Sequence, residues 1–188
     1  MAKLPEKLKS KLDILSWGKG AVYRIDTRKG KLQLSRYSPS VGFMKADFKP
    51  RGHKKIVREF LNAHPGNKGL LYLHVRGKGM YHLLDSKLHR AGKIDFISMS
   101  PDLRINEGLR RRKLGTLLAR LAIDHHEQKT GAFVDRWHAT NRKSYKIALK
   151  LGFIDGYKRK AEESKASSPL KDERVVWLIG KKRGSGHA

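Results

Sequence analysis

From Leu114 the chain repeats apolar residues at helical spacing. Leu114, Leu117, Leu118, Leu121 and Ala122 mark one face of "LGTLLARLAIDHHEQ". Gly131, just after "KT", is the expected C-terminal cap. Runs of a different character stand on both sides. "GLLYLHV" (69–75), "MYHLLDS" (80–86) and "GKIDFISMS" (92–100) read as strands, the last ended by Pro101. "PDLRINEGLRRR" reads as a polar connection into the helix. "AFVDRWHAT" is a further strand, and Asn141 is an N-cap for the helix "RKSYKIALKL", which closes at Gly152. "FIDGYKR" and "RVVWLIGKK" form a final strand pair. A chain that alternates strands and helices in this way is mixed α/β.

The first 60 residues are patterned more weakly. "AVYRIDT" and "KLQLSRY" read as short strands around the turn "RKG". "KKIVREFLNAH" has helical spacing through Ile56, Phe60 and Leu61 and stops at "HPGNKG". The start, "MAKLPEKLKSKLDILSW", reads as a basic amphipathic helix with Leu8, Leu12 and either Ile14 or Leu15 facing inward. It lacks the apolar core of a secretion signal. "KAEESKASSPLKDE" is a charged loop poor in apolar residues, and "KKRGSGHA" a basic tail. The division expected is a basic N-terminal segment (1–60), a folded domain (61–182) and the tail (183–188).

Charge narrows the function classes. Lys and Arg total 43 against 17 Asp and Glu among 188 residues, a net charge of +26. Such an excess calls for a polyanionic neighbour or substrate. The absence of cysteine excludes disulfides, thiolate zinc sites and cysteine nucleophiles. No apolar run is long enough to span a bilayer, so a cytoplasmic location is expected, in the host cytoplasm if the chain is viral.

The cations cluster at one informative place. "LRRRKLGTLL" (109–118) puts Arg110, Arg111, Arg112 and Lys113 where the leucine helix begins. The helix dipole disfavours cations there. A bound anion resolves the conflict, because the first N–H groups of a helix are unpaired and point outward.

Two stretches together resemble the GNAT superfamily of N-acetyltransferases. The first is the strand "IDFISMSP" followed by "LRRRKLGTLL". The second is the strand "FVDRWHAT" followed by "NRKSYKIALKLGF". The resemblance covers roughly residues 69–182. It implies a mixed, mostly antiparallel central sheet flanked by helices; the basic N-terminal extension expected beside it lies outside the resemblance. It also implies acetyl-CoA as acyl donor. Arg110, Arg111, Arg112, Lys113, Leu114, Gly115 and Thr116 would form the pyrophosphate turn, and the strand-end backbone of Ile97, Ser98 and Met99 would pair with the pantetheine arm. Asn141 and Ser144 would be further cofactor contacts. Lys113 stands where the family's first glycine usually sits. The helix position that often carries a tyrosine is Ala148, with Tyr145 one turn earlier and Tyr157 further on.

The implied reaction transfers acetyl from the thioester to a neutral amine. It needs a base for the amine proton and donors for the oxyanion, such as a backbone N–H near Met99. Asp95 is the candidate base and Tyr145 the candidate acid. Asp95 also reads simply as a surface carboxylate in a salt bridge. His74, His82 and His138 read as strand-face histidines before proton relays, and Trp137 as core before a groove wall. His125 and His126 are adjacent on a helix, with rings about 100° apart, so no metal site is expected. The charge favours an acceptor amine on or near nucleic acid, such as aminoacyl-tRNA, a ribosomal protein or a nucleic-acid-bound protein. The alternative is a GNAT-fold nucleic-acid-binding or structural protein without catalysis. A helix-turn-helix reader is disfavoured, because "AFVDRW" after the turn has the pattern of a strand.

Overall fold

The computed structural model describes residues 4–18, 20–51, 54–77, 79–96, 101–157 and 174–178. The described residues form a mixed α/β structure with four α-helices, a seven-stranded antiparallel sheet and a three-stranded parallel sheet. It divides into two units. The first holds Met1–Ser98 with Asp102–Ala132, the second Met99–Pro101 with Phe133–Ala188.

In the first unit, helix α1 (Glu6–Ser16) precedes strands β1 (Ala21–Asp26), β2 (Gln33–Ser38) and β3 (Gly42–Lys45). Helix α2 (Lys54–Ala63) leads into β4 (Leu70–Val75), β5 (Met80–Leu84), β6 (Arg90–Asp95) and β7 (Asp102–Ile105), and helix α3 (Leu114–Thr130) follows. The sheet order is β3-β2-β1-β4-β5-β6-β7. Strand β1 lies between β2 and β4, with Tyr23 opposite Arg36 on one side and Leu73 on the other. The first 60 residues therefore supply three of the seven strands.

Both faces of the central strands are buried. Tyr72, Leu73, Tyr81 and Leu83 are all at most barely exposed, although successive side chains point to opposite faces. Tyr81 points to α3, where its ring meets His125. Leu84 points the other way and packs with Leu12 of α1, Val22, Tyr37 and Tyr72. This packing decides between the two readings of α1. Leu12 is fully buried and Leu15 packs beside it, while Ile14 is 72% exposed.

Three elements differ from the sequence-based expectation. The "polar connection" after Pro101 contains β7, whose Ile105 pairs opposite Gly92. A Cβ at Gly92 would collide with the Ile105 side chain and stand 2.8 Å from the Arg104 carbonyl. The strand forms because glycine lets it approach. Strand β3 was also unexpected; it is held by Phe43, whose ring lies 5.2 Å from that of Tyr37. Helix α3 buries more than one stripe: Thr116, Ala119, Ile123 and Asp124 are buried as well as the leucines. The Asp124 carboxylate accepts the Arg51 N–H at 2.8 Å and faces Arg120 at 3.6 Å. The expected cap at Gly131 is present in a left-handed conformation, with its N–H donating to Glu127.

The second unit contains β8 (Arg136–Ala139), α4 (Arg142–Lys150), β9 (Ile154–Asp155) and β10 (Val175–Leu178). Strand β10 lies between β8 and β9 and is parallel to both. The final strands thus pair, and they do so in parallel. The expected charged loop (160–173) and basic tail lie outside the described residues.

Candidate functional site

The candidate turn is built where β7 hands over to α3. Asn106 ends the strand and donates from Nδ2 to the Arg90 carbonyl. A single 3-10 turn over Glu107–Leu109 follows, and Arg110 pairs with Glu107 at 3.0 Å. The backbone then does something unusual. Arg111 (φ 68°) and Lys113 (φ 61°) both adopt left-handed conformations, two non-glycine residues within three positions. Left-handed residues re-aim the N–H groups beside them, as anion-binding nests do, and Arg110 before them is extended. Lys113, in the position where the resemblance implies glycine, takes the conformation that favours glycine. It caps α3 without a side-chain hydrogen bond. The N–H groups of Leu114, Gly115 and Thr116 have no intrahelical acceptor.

The four cations of the turn are not equivalent. Arg110 is tied to Glu107. Arg112 donates from Nε to the Asn67 Oδ1 at 2.9 Å, and Asn67 donates from Nδ2 to the Arg112 carbonyl at 2.9 Å and to the Phe60 carbonyl at 2.6 Å. Asn67 is buried. Arg111 and Lys113 are exposed, and among the described residues neither side chain forms an ion pair or hydrogen bond. Two cations therefore shape the turn, and two face outward beside a helix N-terminus. Sequence reasoning missed Asn67, because "HPGNKG" gives only the signal of a helix stop.

Asp95 lies on β6 directly opposite Asp102 on β7. Like charges in that register repel. Lys93 compensates them, its Nζ 3.5 Å from Asp95 and 3.7 Å from Asp102. Asp95 is thus ion-paired within its own sheet. Ile97, Ser98 and Met99 lie outside the described residues.

Tyr145, Asn141 and Ser144 belong to the second unit. Asn141 is the N-cap of α4, as expected, its Oδ1 accepting the Ser144 N–H at 2.9 Å. The Ser144 hydroxyl accepts from Nε1 of the fully buried Trp137 at 3.0 Å. Trp137 is core. The Tyr145 hydroxyl donates to Asp155, and that bond to a carboxylate pushes the phenol up to about 12. Tyr145 is therefore protonated at neutral pH. Ala148 is fully buried, and Tyr157 is exposed.

His125 sits in the first unit's core between two phenols. Tyr23 donates to Asp47 at 2.8 Å, so its oxygen is left to accept from His125 Nε2 at 3.1 Å. Nδ1 then accepts from the Tyr81 hydroxyl at 3.1 Å. This chain of donors selects the Nε2–H tautomer. Burial lowers the imidazole to about 4 and keeps it neutral. Among the described residues no group of His, Asp and Glu is arranged to hold a metal ion. No helix among them is long and apolar enough to cross a membrane. In comparisons with protein families, with curated proteins and with solved structures, nothing matches this chain.

Proposed function

We propose that this chain is a GNAT-like N-acetyltransferase that takes acetyl from acetyl-CoA and gives it to an amine, with an acceptor on or near nucleic acid. The observation that carries the reading is the turn Arg110–Gly115. Its two left-handed residues, two outward cations and open helix N-terminus suit the pyrophosphate of a nucleotide cofactor. Arg111 and Lys113 would supply charge-assisted hydrogen bonds to phosphate oxygens. In the reading, the neutral amine attacks the thioester carbonyl, the oxyanion collapses, and the thiolate leaves. The nitrogen loses one proton and the sulfur gains one, so the step balances without an external reagent. Asp95 and Tyr145 are the candidates for those two transfers. The net charge of +26 favours a polyanionic acceptor complex over a free basic peptide.

A second reading, a binding protein of the same fold without catalysis, is favoured by one observation. Asp95 is already paired with Lys93, and the Tyr145 hydroxyl already donates its hydrogen bond to Asp155.

Calorimetric titration with acetyl-CoA, against a 3′-phosphorylated adenosine diphosphate lacking the pantetheine arm, tests the proposal. Saturable one-to-one binding, tighter than the control and lost in Arg111→Ala with Lys113→Ala, is expected. Equal binding of both ligands, abolished by salt, would reduce the turn to a general polyanion contact. Acetyl-CoA binding without turnover of any amine would favour the second reading.

A further inference from the structure

A different part of the first unit carries its own chemistry. At the C-terminal end of α1, the Trp17 N–H closes the helix on the Ile14 carbonyl. The Trp17 indole is 88% exposed, beside the exposed Ile14. Trp is usually among the more buried residue types. Here it flanks a cavity of about 470 Å³ that also involves Leu15, His74, Arg76 and His82, a volume within the range of ligand sites.

The floor of the cavity follows from the strand register. His74 on β4 stands directly opposite His82 on β5, with ring centroids 5.9 Å apart. Both point to the α1 face of the sheet, away from Tyr81 and α3. Burial lowers both imidazoles, His82 to about 4, so both are neutral at pH 7. A neutral imidazole has one N–H donor and one acceptor nitrogen. The His74 N–H is met by the Leu15 backbone carbonyl, so the pair offers a nucleobase edge the other His74 nitrogen as acceptor, beside the donor and acceptor of His82. The charged side chains that act on His82 are Arg76, Arg90 and Lys93, all cations. Arg76 is exposed at the rim, and Lys7, Lys9 and Lys11 are exposed along α1.

We propose that this groove binds single-stranded nucleic acid, with one unpaired base stacked on Trp17, its edge met by His74 and His82, and its phosphate held by Arg76. An exposed indole within a cationic surface is the combination that sequence-tolerant single-strand binding uses. A base in a duplex is stacked and has its edge paired, so it cannot enter. The site is separate from the Arg110–Gly115 turn and does not depend on the acetyl-transfer reading.

Fluorescence anisotropy of a labelled oligothymidylate of about 12 nucleotides, at about 0.15 M salt, tests this. Trp17→Ala is expected to weaken binding roughly ten-fold or more, while Trp17→Phe keeps most of the affinity. Trp17→Ala should leave the salt dependence unchanged, whereas Arg76→Ala lowers the logarithmic salt slope by about 0.7, the value for one single-strand phosphate contact. Arg111→Ala should not weaken binding. Because Trp17 is almost fully exposed, its loss does not threaten folding. Unchanged affinity in Trp17→Ala, equal binding of a duplex of the same length, or displacement of the oligonucleotide by acetyl-CoA would each overturn the proposal.

Discussion

Asn67 and Arg112 hold each other by two hydrogen bonds, side chain to side chain at 2.9 Å and side chain to backbone at 2.9 Å. A third bond ties Asn67 to the end of α2 at Phe60. One buried amide thus connects the end of one helix to the start of another, and it sets the path of the cationic turn. Asn67→Ala leaves two carbonyls and a guanidinium N–H without their partner. A loss of about 2–4 kcal/mol in urea-induced unfolding is expected. A loss below about 0.5 kcal/mol would show that water replaces the amide and that the turn does not rely on it.

The two left-handed residues offer a separation of stability from binding. Lys113→Gly removes the steric penalty of a Cβ at φ 61°. The flexible unfolded chain offsets part of the gain. Thermal unfolding should show a midpoint unchanged or raised by a few degrees, while affinity for phosphorylated ligands falls through the lost cation. A lowered midpoint would mean that Lys113 has a structural partner in solution.

The buried histidines predict a pH dependence with a definite sign. His125 and His82 have folded values near 4, below the usual 6.5. The unfolded chain therefore binds more protons than the folded one between those values. Stability from these groups is full above pH 6.5 and is lost as pH falls toward 4. Asp124, raised by burial, titrates in the opposite sense within its own acidic window and offsets part of the loss. Urea midpoints measured from pH 7 to 4.5 should fall steadily, and His82→Gln should flatten the slope. A flat wild-type profile would contradict the buried, neutral state of both rings.

Helix α1 gives a paired test of packing. Leu12 is fully buried between α1 and the sheet, and Ile14 is exposed. Leu12→Ala is expected to destabilise by about 2–5 kcal/mol. Ile14→Ala should stay within about 0.5 kcal/mol. Differential scanning calorimetry of the two variants compares them directly; equal effects would mean that α1 docks by its other face.

Much of the fold is legible locally. The leucine spacing of α3, the apolar runs of β4 and β5, the cap at Asn141 and the stop at Gly131 are all present in the structure. Each depends on residues a few positions apart, so short-range periodicity and capping chemistry suffice. The cluster of cations at the start of α3 is legible for the same reason. What the cations do is not. Arg112 turns inward because Asn67, forty-five residues away in sequence, has a buried carbonyl for it. Lys93 is drawn between two aspartates that only the β6–β7 register places opposite each other.

By itself, the sequence determined the kinds of element, their order and the excess of positive charge, because these follow from composition and local period. Only the tertiary structure decided the rest. It inserted β1 between β2 and β4, made a strand of Asp102–Ile105 through the space left by Gly92, and ran β10 parallel to its neighbours. It also set His125 between two tyrosines and aligned His74 with His82 in the cavity that Trp17 also lines. Each of these depends on which distant segments meet and in what register. Strand pairing has a period of two, so a slip of one residue would turn His82 from the α1 face toward α3. That choice is made by the packing of the whole sheet, and no short stretch of the chain contains it.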